Sequence, residues 1–162
     1  MADPAWLTVA RRYEGVREIS GAQHSTVIAG WLDRLRAWWK DDETPWCGVY
    51  VAACIQAANL PLPRYWMRAR DWLNWGQPLP GPAHGCVVVF ERGSAGHVGF
   101  VIGQTSTGHL MVLGGNQGNA VSRAAFERSR VLGYRWPSGV PLPISAPLVV
   151  MNASGPVSSN EA

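Results

Sequence analysis

The texture of this chain changes once, and that change limits the folds open to it. Up to Gly76 the apolar residues recur at helical spacing. Beyond a loop from Gln77 to Gly85 they come in short β-branched runs separated by glycine-rich turns. Cys86-Val87-Val88-Val89-Phe90 opens the second half, followed by a turn at Gly93 to Gly96 and a strand from Val98 to Gln104. A Ser-Thr-Gly turn leads to a strand from His109 to Gly114, and further strands are read at Ala120 to Ser122 and Val131 to Trp136. Helices first and an antiparallel meander after them is an α+β layout.

The helical half divides into four segments. Asp3-Pro4 caps a first amphipathic helix that carries Trp6, Leu7, Ala10 and Tyr13 on one face and stops at Gly15. A loop with Gly21 and His24 precedes a second, from about Ser25 to Trp39, with Ile28, Trp31, Leu32, Leu35 and Trp38/Trp39 at the 3.6-residue period. A third follows the acidic turn Asp41-Asp42-Glu43 and runs to about Asn59, where Leu60-Pro61-Leu62-Pro63 ends it. A fourth, about Arg68 to Trp75, stops at Gly76. From Pro137 onward Pro, Ser, Gly and Asn dominate, with Leu148 to Met151 a short apolar interruption. The expected organisation is one domain over residues 1–137 and an irregular extension over 138–162.

A length of 162 residues suffices for a real core, and 47% hydrophobic with 15% charged residues is a globular rather than a disordered composition. Most of the nine tryptophans are read as packing residues, with several available to line a groove. Net charge is +3 and the pI about 9.0, with Lys40 the only lysine. That mild excess suits an anionic polymer such as a cell wall or outer-membrane surface. It forms no basic stripe or known motif for nucleic acid. The N-terminus lacks a charged segment followed by an apolar one, and no apolar run of 18 residues occurs, so neither a secretory signal nor a transmembrane span is expected. The expectation is a monomer made in a reducing cytoplasm and delivered elsewhere by other means.

Cys47, Cys54 and Cys86 are odd in number, with spacings that do not read as a disulfide framework. Cys47 stands apart. Thr44 reads as an N-cap and Pro45 as the first helical residue, so Cys47 falls at the third position of the first turn, near unpaired N–H groups and the positive end of the helix dipole. That location lowers a cysteine pKa, and the thiolate is the nucleophile. Cys54 falls on the same helix as a core residue. His97 enters the second strand after a glycine-rich turn, which places its ring at the sheet edge as a candidate base. Asn116, after Gly114-Gly115, is the candidate that orients the ring, with Gln117 the nearest substitute. Trp46 and Gln117 are candidate substrate-binding residues. His24, His84 and His109 have no evident partner. No C-x-x-C, H-x-x-x-H or H-E-x-x-H spacing occurs, so no metal and no cofactor are expected.

The segments Asp42-Glu43-Thr44-Pro45-Trp46-Cys47, Gly96-His97-Val98-Gly99-Phe100 and Leu113-Gly114-Gly115-Asn116-Gln117-Gly118-Asn119-Ala120-Val121 resemble the phage-type branch of the NlpC-like/CHAP superfamily of cell-wall cysteine peptidases. The resemblance runs from about Pro4 to Pro137 and includes Gly21-Ala22-Gln23-His24 and Leu132-Gly133-Tyr134-Arg135. It implies a papain-like α+β fold, helices packed on an antiparallel sheet, and metal-free cleavage of peptidoglycan amide bonds. By these motifs Cys47 is the nucleophile, His97 the base and Asn116 the orienting residue. Cys86 departs from the pattern and receives no catalytic role. The implied biology is an endolysin, with a delivered antibacterial effector or a non-catalytic wall-binding or virion module as alternatives.

Overall fold

The computed structural model describes residues 2–19, 25–39, 45–152 and 157–158. Three helices, α1 (Ala5–Arg12), α2 (Thr26–Arg34) and α3 (Cys47–Ala57), precede six strands. The strands are β1 (Gln77–Leu79), β2 (Val87–Arg92), β3 (Ala95–Gln104), β4 (Leu110–Gly114), β5 (Ser122–Phe126) and β6 (Val131–Trp136). They form one antiparallel sheet in the order β1-β6-β2-β3-β4-β5. The fold is α+β, helices on an antiparallel sheet, as the change of texture implies.

Helix α3 is the centre of the molecule. Its first nine residues are all buried, so it is apolar around its whole circumference rather than along one stripe. Helix α1 covers it with Trp6, Leu7 and Ala10, and the Tyr50 hydroxyl donates to the Ala10 carbonyl at 2.7 Å. The Trp6 indole N–H donates to the Gly85 carbonyl at 2.7 Å and its ring meets Trp136 edge to face at 5.1 Å. Those two contacts fasten α1 to the start of β2 and the end of β6. The hydrogen-bonding ends of these aromatics are satisfied by backbone, so their large apolar areas are buried without stranding a polar group.

Several boundaries differ from the sequence reading. Helix α2 starts with Ser25 accepting from the Ile28 N–H at 3.3 Å but ends at Arg34, five residues before Trp39. Arg36 turns left-handed (φ 58°), and the Ala37 N–H reaches back to the Leu32 carbonyl at 2.9 Å. This closing turn stops the helix although the apolar period continues. The fourth helical segment is a 3-10 helix, Ala69–Asn74, and Gln77–Leu79 pairs with β6 instead of forming a loop. Ala120 and Val121 do not begin β5. They pair with the chain after α1, where Gly15 N–H donates to Val121 and Val121 N–H to Val16, each at 2.8 Å. The apolar interruption after Pro137 returns to the sheet, since Gln104 N–H donates to Val149 and Met151 N–H to Gln104. No helix among the described residues is long and apolar enough to cross a membrane.

The start of α3 is also placed differently. Thr44 lies outside the described residues, as do His24 and Asp41 to Glu43. Trp46 is the N-cap, with φ −125° and ψ 19°, and Cys47 is the first helical residue rather than the third. Trp46 is held there by its side chain: it is 1% exposed, and its indole donates to Glu18 at 3.0 Å. A residue anchored in that way fixes where the helix begins more strongly than the propensity of Pro45 for a first turn.

Gly48 lets the next segment close over this helix start. A Cβ there would lie 2.5 Å from the Trp66 carbonyl oxygen and 2.9 Å from that of Met67. Gly48→Ala is therefore expected to lower stability by about 1–3 kcal/mol, as overpacking does. Gly30→Ala, whose Cβ would meet only Arg34 at 3.6 Å, is expected to be neutral or stabilising by about 0.5–1 kcal/mol, since it removes a glycine from a helix interior. Urea unfolding of both variants, compared by midpoint at constant slope, checks the contrast.

Candidate active site

Cys47 sits at the first helical position, 6% exposed, and its thiol meets His97 from β3. Burial pushes the thiol pKa up. The hydrogen bond and charge of His97, the Val98 backbone N–H and the charge of Arg92 push it down, and the net direction is below the ordinary thiol value. The other two cysteines show what burial does where it dominates. Cys54 is raised well above the thiol range, and Cys86 is pushed up to about 12. Cys54 has the Tyr50 hydroxyl and Cys86 the Ala83 N–H as partners, but only at Cys47 do the partners outweigh burial.

The tautomer of His97 follows from Gln117. The Gln117 side-chain nitrogen donates to two carbonyls, Val112 at 3.2 Å and Ser122 at 2.7 Å, so both its hydrogens are committed. Its Oε1 is then the atom that faces His97 Nε2, at 2.9 Å. An amide oxygen accepts and cannot donate, so Nε2 carries the hydrogen and Nδ1 is the ring nitrogen left to exchange a proton with the thiol. The ring is fully buried, opposite Phe90 in the sheet register, and stacks on Phe126 with centroids 5.4 Å apart.

The residue on the imidazole is Gln117, where the sequence reading favoured Asn116. Asn116 is 3% exposed with φ 59°, the left-handed geometry that asparagine tolerates. It turns the chain so that the next side chain points back along the strand. Gly114 lacks the side chain that would otherwise collide with Gln117 Oε1 and crowd His97 Nε2, and a Cβ on Gly115 would strike Tyr50 and the Trp46 ring. The Gly-Gly-Asn-Gln run is thus a device for delivering one amide to one ring.

The two candidate substrate-binding residues do other work. Trp46 is buried between Trp31 and the Gly115 backbone, and Gln117 is 5% exposed beneath His97. Neither reaches a groove, because each is held by partners in the interior. His84 has a partner that the sequence did not reveal: its Nε2 lies 2.7 Å from Asp3, itself paired with Arg11. His109 contacts Thr107 at 3.2 Å. Among the described residues no three His, Cys, Asp or Glu side chains gather in metal-binding geometry.

A cleft of about 310 Å³ opens at Cys47, with Pro45, Met67, Arg68, Arg70, Arg92 and Gly96 in its wall. It continues past Pro45, Met67 and Arg68 into a second hollow bounded by Trp38, Trp39 and Tyr65. Trp38 is 89% exposed, the residue that departs most from the packing role read for the tryptophans. Arg68, Arg70 and Arg92 had no motif to announce them; their grouping depends on the β2–β3 hairpin folding over the 3-10 helix.

The CHAP domain family matches residues 39–116. Over that stretch, a little under half of its length, the chain is similar to CHAP domains. The family consists of cysteine- and histidine-dependent peptidoglycan hydrolases, and the matched stretch contains Cys47 and His97. It ends at Asn116, one residue short of the amide that holds the ring. A comparison with curated proteins finds no match.

In the native protein, iodoacetamide is expected to label Cys47 and leave Cys54 and Cys86 unmodified, read by peptide mass spectrometry. The protonated thiol does not react. A lowered pKa keeps the thiolate populated as pH falls, so the labelling rate is expected to decline only at pH values below the ordinary thiol range. Replacing His97 by Ala removes the main stabilising partner and should move that decline upward in pH.

Proposed function

We propose that this domain is the catalytic unit of a lysin that cleaves a peptidoglycan amide bond through a Cys47 acyl-enzyme. The observation that carries the reading is the Cys47–His97–Gln117 arrangement: a thiol whose charged form is favoured, a base of fixed tautomer, and an orienting amide. The match to the CHAP domain family supports the substrate class, and a net charge of +3 suits an anionic wall. Delivery to the wall through a membrane pore or a secretion machine belongs to the same proposal.

The steps follow from the geometry. His97 Nδ1 takes the Cys47 proton, and Sγ attacks the amide carbonyl carbon. The backbone N–H of Cys47, at the first helical position with no carbonyl one turn back in the helix, helps hold the oxyanion. As the C–N bond breaks, His97 returns the proton to the leaving nitrogen and a thioester remains. Water, deprotonated by His97, then attacks the thioester, giving a carboxylic acid and the free thiol. Asn116 takes no part in these transfers; it shapes the turn that presents Gln117.

Rates on labelled sacculi test the roles. Cys47→Ala and His97→Ala are expected to lose about a thousandfold or more with circular dichroism unchanged. Gln117→Ala, which only frees the ring to rotate, should cost roughly 10- to 100-fold, while His84→Ala and His109→Ala retain near-normal rates. A Cys47→Ala enzyme that still clears sacculi would remove the thiol mechanism.

A second check concerns metal. EDTA is expected to leave hydrolysis intact and iodoacetamide to abolish it. Inactivation by chelator that zinc reverses would overturn the reading.

A further inference from the structure

The cleft at Cys47 is charged on one side. Among the described residues that line it, three are arginines and none is aspartate or glutamate. Arg70 is held by the turn beside it. Its Nε donates to the Ala95 carbonyl at 2.7 Å and one Nη2 hydrogen to the Gly93 carbonyl at 3.1 Å, both in the β2–β3 turn. Its aliphatic stem lies against Gly96, where a Cβ would come within 3.1 Å of Arg70 Cγ, one residue from His97. Two neutral carbonyls fix the guanidinium without cancelling its charge, and its remaining N–H groups stay available to a ligand. The ordering cost of a long flexible side chain has been met in folding, which is what makes a preorganised anion contact effective. Arg68 adds a second positive charge in the same wall, its guanidinium stacked 4.9 Å from the Tyr65 ring centre.

We propose that Arg70, supported by Arg68, forms a carboxylate subsite, so that the enzyme prefers peptides bearing a free carboxylate next to the amide it cleaves. The proposal rests on the hydrolase reading for its substrate, although the subsite itself is testable without turnover. A planar guanidinium pairs with a carboxylate through two parallel N–H···O contacts, whereas a carboxamide offers one weaker acceptor and no charge. Placed beside the nucleophile, that contact positions the scissile carbonyl rather than merely raising affinity.

The first measurement uses alkylation of Cys47 by iodoacetate and iodoacetamide. In each case the thiolate sulfur displaces iodide from the methylene carbon, so the two probes differ only in carrying a carboxylate or a carboxamide. The iodoacetate/iodoacetamide rate ratio cancels any change in thiol reactivity. It is expected to fall by about threefold or more in Arg70→Gln at low ionic strength, and by less in Arg70→Lys, which keeps the charge without the fork. In the wild-type protein the ratio should fall towards that of Arg70→Gln as sodium chloride is raised to about 0.5 M. A ratio unchanged by both Arg70→Gln and salt would overturn the subsite. The second measurement compares sacculi with their free carboxylates intact or converted to carboxamides by carbodiimide and ammonia. Wild-type release should drop about tenfold on the amidated wall, whereas Arg70→Gln, already slow, should lose less than about twofold. Equal losses in both proteins would also overturn it. If neither wall is cut by wild type, the hydrolase reading fails while the alkylation ratio still decides the subsite.

Discussion

A thiol buried in a protein interior ordinarily resists ionisation, and this protein reverses that tendency at one cysteine of three. The reversal is made by an imidazole that is itself fully enclosed, which moves the problem one step outward. An enclosed imidazole has to be told which nitrogen holds its hydrogen. Gln117 does so because its own two hydrogens are already taken by Val112 and Ser122. The chain of constraint therefore runs from two strand carbonyls, through one amide, to a ring and then to a sulfur.

Much of the scaffold exists to keep those four groups in register. The all-apolar helix α3 fixes the depth of Cys47, and Trp46 fixes where the helix begins. The Phe90–His97 pairing fixes the ring along the strand, and Phe126 fixes its plane. The two glycines before Asn116 matter through what they omit, since a side chain at either would displace a contact of the site. Sequence motifs of this kind record steric vacancies as much as chemical groups.

How much of this was legible in the sequence depends on the range of the interactions involved. The order of helices and strands was readable because hydrophobic period and turn residues are local signals. Cys47 and His97 could be picked as candidates because a cysteine before an apolar helical run and a histidine beside a glycine-rich turn are local signals, although β3 begins two residues before His97. The exchange of Asn116 for Gln117 was not, because adjacent side chains in a left-handed turn point in opposite directions and the sequence does not say which faces the ring. The early end of α2 escaped for a similar reason: Arg36 adopts a conformation more typical of glycine, and the apolar period gives no warning. Trp46 looked like a groove residue and is a packing residue, since a tryptophan beside a nucleophile carries no mark of which side it faces. The partner of His84 lies 81 positions away at Asp3, beyond any local pattern.

The neutrality of Gln117 has a further consequence for the proposed reaction. A carboxylate in its place would stabilise an imidazolium throughout the cycle. An amide oxygen offers a dipole but no compensating charge, so the charged ring owes its stability to the thiolate beside it. Once the sulfur has bonded to the carbonyl carbon, that counter-charge has left it and the enclosed ring becomes a stronger acid. The nearest base at that moment is the departing nitrogen. The driving force for expelling the amine is thus generated by the attack itself, without a separately tuned acid.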